Sequence, residues 1–202
     1  MLTDDKDIEL PVKLPAEQVL RVKKQLSEQR WLHTIEVLKT GVALCKNYPQ
    51  LERLQQELIF VSLHHDMAKE LPDPLQLELA RKYRLPVDNY ELKIPELRHG
   101  PAAAALVIEQ FGYQRTERIP AAIANHSTGA ANDAPLADAL VVADFCAADR
   151  SFPAAEAVRR LIGIEPLSEL IRITLKNKLI DCLEKGALIH PRSIKAYNRF
   201  VH

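Results

Sequence analysis

The segment VSLHHDMAKELP, residues 61–72, sets His64, His65 and Asp66 side by side, with Lys69 three residues on. His33 lies one helical segment upstream, and Asp144 sits inside the apolar run ALVVADFCAADR. A carboxylate among apolar residues is costly unless something positive holds it, and a metal ion is a common answer. His99 and His126, each beside turn residues, extend the candidate ligands to His33, His65, Asp66, His99, His126 and Asp144. Taken singly, each histidine reads better as a structural residue. Taken together with the two acids, one shared cause is the simpler explanation. The set holds imidazole and carboxylate but no thiolate, which favours iron, manganese, cobalt or magnesium over a cysteine-type structural zinc. Two carboxylates and four imidazoles suffice for two metals bridged by one carboxylate. Such a pair can generate hydroxide and stabilise both the attacking and leaving oxygens of a phosphoryl displacement.

Cations recur beside these residues. Lys69 follows Asp66 by three positions, Arg30 precedes His33 by three, and Arg150 follows Asp144 by six. Each alone reads as a solvated surface charge. Repeated next to candidate ligands, they suggest a phosphate-binding rim, since guanidinium forks match phosphate oxygens.

The elements that must position these groups are helical. Trp31, Ile35, Leu38, Val42 and Cys45 recur at helical spacing, and Leu51, Leu54, Leu58, Val61 and His65 continue it. His65 therefore ends an apolar stripe and points inward, while His64 points roughly 100° away. Runs that alternate as strands do are scarce. Proline-containing breaks near Leu71, Pro86, Pro101, Pro120, Pro135 and Pro153 each suggest a new helix. A long helix is expected after Ser168, ending at Lys185–Gly186, and a short one starting at Pro191. The expectation is an all-α single domain over residues 15–202, preceded by a flexible lead-in, 1–14.

The chain has 202 residues, with 27 acids against 27 bases. A balanced charge gives no global case for nucleic acid or membrane binding. The acidic start MLTDDKDIEL does not read as a signal peptide, and no run approaches a membrane span. Cys45, Cys146 and Cys182 are odd in number and far apart, so they read as buried small hydrophobes in a reducing, cytoplasmic setting. His202 reads as an inert terminal residue.

The series His33, His65-Asp66, Asp144 resembles the signature of the HD superfamily of metal-dependent phosphohydrolases. Longer stretches resemble one branch, the YqeK family of symmetrical diadenosine tetraphosphatases: RWLHTIEVLKT, LHHDMAKELP, LRHGPAAAALV, ANHSTG, VVADFCAADRSFP and LKNKLIDCLEKGALIHPRSIKAYN. They fall in order from about residue 30 to 198. The resemblance implies an HD-domain helical bundle that cleaves diadenosine tetraphosphate into two ADP. It implies iron as the metal, with manganese or cobalt substituting, and two ions. His33, His65, Asp66 and Asp144 would hold the first, and His99 and His126 would complete the second, with Asp66 bridging. Asp66, Lys69 and Arg150 would be catalytic. Substrate contacts would fall on Arg30, His33, Lys69, His99, His126, Ser127 and Arg150, and on Ile189, His190 and Pro191. The sequence departs from the family pattern at His64, where an apolar or small residue is usual, and in DFCAADR, which lacks a glycine before Arg150. A nucleotidase or phosphodiesterase for another nucleotide is the alternative, followed by a non-catalytic nucleotide-binding module. Oligomeric state is left open, a homodimer included.

Overall fold

The computed structural model describes residues 10–201. The first nine residues of the expected lead-in, and His202, lie outside the described residues. Leu10 and Leu14, from the remainder of that lead-in, pack against the core. Among the described residues the chain is helical with no strand. In order the helices are α1 (Ala16–Lys23), α2 (Glu28–Asn47), α3 (Gln55–His64), α4 (Asp73–Lys82), α5 (Asn89–Lys93), α6 (His99–Phe111), α7 (Arg118–Asn125), α8 (Pro135–Phe145), α9 (Pro153–Arg160), α10 (Leu167–Glu184) and α11 (Pro191–Asn198).

The centre of the bundle is α8. Every residue from Leu136 to Phe145 is buried, because α2, α3, α7 and α10 all pack around it. A helix apolar on all sides belongs inside a bundle, and this one delivers Asp144 to the interior. The face of α2 that carries Trp31, Ile35, Leu38 and Val42 is buried as its spacing predicts. Ser27 caps that helix, its Oγ accepting from the Arg30 amide. The paired helices α6 and α7 approach closely through small residues, Ala102 to Ala105. A Cβ on Gly100 would lie 2.9 Å from the Ala124 carbonyl oxygen, so only glycine fits there.

Several local expectations are corrected. The stretch that carries Asp66 and Lys69 is not continuous helix: α3 ends at His64, and residues 65–70 form successive turns. The Lys69 amide bonds to the Asp66 carbonyl at 2.8 Å, so i→i+3 bonding keeps Lys69 on the side of Asp66. The LPVD break at Pro86 does open a helix, α5, which begins at Asn89 with Asp88 of that break as the cap of an Asp88–Glu91 capping box. Pro101 and Pro120 sit third in α6 and α7, where a missing N–H removes no helical bond. The long α10 opens at Leu167, with Pro166 before it, and Gly186 follows in a left-handed conformation, φ 60°. Cys146 is buried, whereas Cys45 and Cys182 are only half-buried.

Candidate metal centre

Four imidazoles converge on two carboxylates. His33 comes from α2, His65 and Asp66 from the turn after α3, His99 from the start of α6, His126 from the end of α7 and Asp144 from α8. All six are buried. His33, His65 and Asp66 form one trio, and Asp66, His99 and His126 a second. Within each, one ligand atom per residue lies within 4.8 Å of the others. Asp66 belongs to both, and its two oxygens face different partners. Oδ1 lies 3.1 Å from His99 Nε2 and 3.7 Å from His126 Nε2, whereas Oδ2 lies 3.7 Å from His65 Nε2. This is the disposition of a carboxylate that could bridge two cations.

The histidine tautomers follow from their anchors. His65 Nδ1 donates to the Ser62 carbonyl at 2.8 Å, His99 Nδ1 to Glu96 at 2.6 Å and His126 Nδ1 to Ile123 at 2.7 Å. A carbonyl only accepts, so each Nδ1 carries the proton and each Nε2 turns a lone pair inward. His65 Nε2 is buried with no hydrogen-bond partner. His99 Nε2 and His126 Nε2 face each other at 3.0 Å. Acceptors crowded together in this way, with one orphaned, call for a cation between them. The residues present fit a metal.

His33 is held differently. Its Nδ1 lies 2.9 Å from Asp149 and its Nε2 3.1 Å from Asp144. A carboxylate behind a ligating histidine fixes the ring and raises its basicity. Asp149 was missed in the sequence, where it is only an acid beside Arg150 with nothing local to tie it to His33.

Charges follow this geometry. Burial works to raise Asp66, but His65, His99 and His126 around it hold its carboxyl well below the usual range. Burial likewise opposes ionisation of Asp144, yet His33, His65, Arg150 and Lys178 keep it ionised. Burial lowers His65, and lowers His126 well below its ordinary value. Anionic carboxylates and neutral imidazoles are the forms that bind metal. His33 is the exception: burial lowers it, but bonding to Asp144 leaves it raised.

The three expected cations reach this cluster. Arg30 donates to Asp66 Oδ2 at 2.9 Å and Arg150 to Asp144 Oδ1 at 2.8 Å. Lys69 Nζ lies against the His99 ring, 3.1 Å from Nδ1 and 3.4 Å from Nε2. Ser127 Oγ stands 3.2 Å from His126 Nε2. The ALIHPR segment is tied elsewhere. His190 is buried and caps α11, its Nδ1 accepting from the Arg192 amide at 3.0 Å while its Nε2 donates to Glu91 at 3.1 Å. With Asp88 these residues resemble a third metal trio. However, Nε2 must carry the proton there, and Arg192 already neutralises Glu91 at 3.2 Å. Ile189 and Pro191 flank His190 on the same segment. His64 faces away from the cluster, stacked on Phe60 with Nδ1 donating to the Phe60 carbonyl at 2.7 Å.

Comparison with known proteins decides the family. No protein-family model matches this sequence. A symmetrical bis(5'-nucleosyl)-tetraphosphatase from Halalkalibacterium halodurans is 31% identical over 180 residues, covering 89% of this chain and 93% of the relative. The chain belongs to the symmetrical bis(5'-nucleosyl)-tetraphosphatase family. The tetraphosphatase of the same name from Bacillus subtilis is 29% identical, with 89% of this chain and 94% of that one covered. The crystal structure of a predicted HD superfamily hydrolase involved in NAD metabolism, from Clostridium acetobutylicum, superposes with a TM-score of 0.81 at 24% identity, over 91% of this chain and 95% of that one. The chain therefore shares the fold of that predicted HD hydrolase, and as a member of the tetraphosphatase family it is an enzyme of the hydrolase class. No helix among the described residues is long and apolar enough to cross a membrane.

Proposed function

We propose that this protein hydrolyses diadenosine tetraphosphate symmetrically to two ADP, as a single catalytic domain over residues 15–202 acting in the cytoplasm. The observation that carries the reading is Asp66, shared between two pairs of imidazoles in a chain of the tetraphosphatase family. His33, His65, Asp66 and Asp144 would hold one metal, and His99 and His126 would join Asp66 in holding the second. Iron is the native metal and manganese or cobalt substitutes, in keeping with a donor set of imidazole and carboxylate. When bound, such a pair makes hydroxide available near neutral pH and neutralises charge on the phosphate under attack.

The chain's own residues do the rest. Asp149 holds the His33 ring in register, and the Ser62, Glu96 and Ile123 carbonyls hold the other three. Arg30, Lys69 and Arg150 line the cluster and offset charge that develops on the phosphate oxygens. Ser127 offers a hydroxyl beside His99 and His126. Ile189 and Pro191 contact the nucleoside end, and His190, with both ring nitrogens engaged, shapes that segment. No side chain stands out as a general acid, and ADP leaves as a phosphate of low pKa that needs none. Early products from diadenosine tetraphosphate with ferrous or manganous ion test the reading. ADP as the sole nucleotide product is expected; AMP and ATP in equal amounts would overturn it.

A further inference from the structure

Helix α10 packs along α8 and turns an apolar face to it. Ile171, Thr174 and Leu175 are buried, and the next position on that face is Lys178. A Cβ on Gly129 would lie 3.0 Å from Leu175 Cδ2, so α10 passes hard against the turn that follows His126 and Ser127. The starts of the two helices lie side by side, with Leu167 and Ile171 lining one groove with Pro135 and Asp138, so half-buried Lys178, two turns beyond Ile171, falls at the end of α8 that carries Asp144. Its ammonium interacts favourably with Asp144 and unfavourably with Arg150.

Lys178 has no ion-pair or hydrogen-bond partner among the described residues. The acids near it are already taken: Asp144 by His33 and Arg150, and Asp181 by Lys185 at 2.7 Å. The half-buried ammonium keeps contact with water but has no counter-ion of its own, and the burial it does have lowers its pKa. A second cation beside Arg150 is more than Asp144 needs. The excess positive charge suits an anion.

We propose that Lys178 is a phosphate-contacting residue of this site, its ammonium taking a phosphate oxygen of the bound nucleotide on the Asp144 side. The inference rests on the nucleotide reading of the site above. Cations then flank both carboxylates, Arg30 and Lys69 at Asp66, and Arg150 and Lys178 at Asp144. A substrate cut into two equal halves is thus held on either side of the cut.

Calorimetry on the metal-loaded protein tests this with inorganic tripolyphosphate, ADP and adenosine. Lys178→Met keeps the apolar stem, and Lys178→Arg keeps the charge. The Met variant should bind tripolyphosphate and ADP about tenfold or more weakly, the loss of one charge-assisted contact. Adenosine binding, metal content and the thermal midpoint should not change, and the Arg variant should recover most of the loss. The KM for diadenosine tetraphosphate should rise with it. Acetylation of Lys178 in the unaltered protein, read by mass spectrometry, should slow when tripolyphosphate is added. Unchanged tripolyphosphate binding by Lys178→Met, or no protection in the unaltered protein, would overturn the proposal. Neither result touches the substrate assignment, which stands or falls on products. Weakened tripolyphosphate binding without diadenosine tetraphosphate turnover would sink that assignment and leave Lys178 in place.

Discussion

Asp66 touches more of the proposed chemistry than any other residue, since its two oxygens serve different imidazole pairs. Asp66→Ala should lower hydrolysis on the order of 10³-fold or more and deplete both metals, read by elemental analysis of the purified variant. Lys69→Ala should slow turnover while metal content stays whole, because its ammonium serves substrate charge and ligates nothing. Asp149→Asn keeps the shape but loses the charge behind His33, so metal affinity should fall about 10–100-fold in competition with a chelator. His64 has a different assignment. Burial lowers it to about 4 from 6.5, so the unfolded chain takes up its proton first as pH falls. Its contribution is intact above pH 6.5 and is lost towards pH 4. Urea titrations should show about 2 kcal/mol less pH-dependent loss between pH 7 and 5 in His64→Phe than in the unaltered protein.

At the scale of elements, the site depends on how closely helices meet. His99 and His126 stand 3.0 Å apart because α6 and α7 touch at Gly100, where an added methyl would strike the Ala124 carbonyl. Gly100→Ala should cost roughly 1–3 kcal/mol as an overpacked contact and weaken metal binding, seen as a lowered thermal midpoint together with substoichiometric metal. Much of this layer was legible in the chain: the α2 stripe, the Pro135 and Pro153 starts, and α10 with its glycine stop all follow from periodicity and capping. The turns at 65–70 were not, because the apolar spacing around His65 fits helix and 3₁₀-like turns alike. Asp149 was hidden for another reason. Its partner, His33, is 116 residues away, and local pattern does not encode such a pairing. His190 shows the converse: the resemblance singles out its position, but its ring is committed to Glu91 by a contact 99 residues distant.

At the scale of the whole molecule, the six clustered residues are drawn from α2, α3's trailing turn, α6, α7 and α8, so no fragment of the bundle contains the site. Their burial follows from the apolar α8 at the centre, which leaves Asp144 facing inward at its end. That arrangement has a consequence in time. A chain made from its N-terminus folds as it emerges. The trio of His33, His65 and Asp66 is complete in sequence long before His126, and Asp144 follows still later. A nascent chain can therefore present half a pocket to the cell well before the other half exists, and selection of the correct ion belongs to the finished protein. Ribosome-bound chains halted before α8 should take up the ion weakly and exchange it readily, whereas chains released in full should retain it through dialysis.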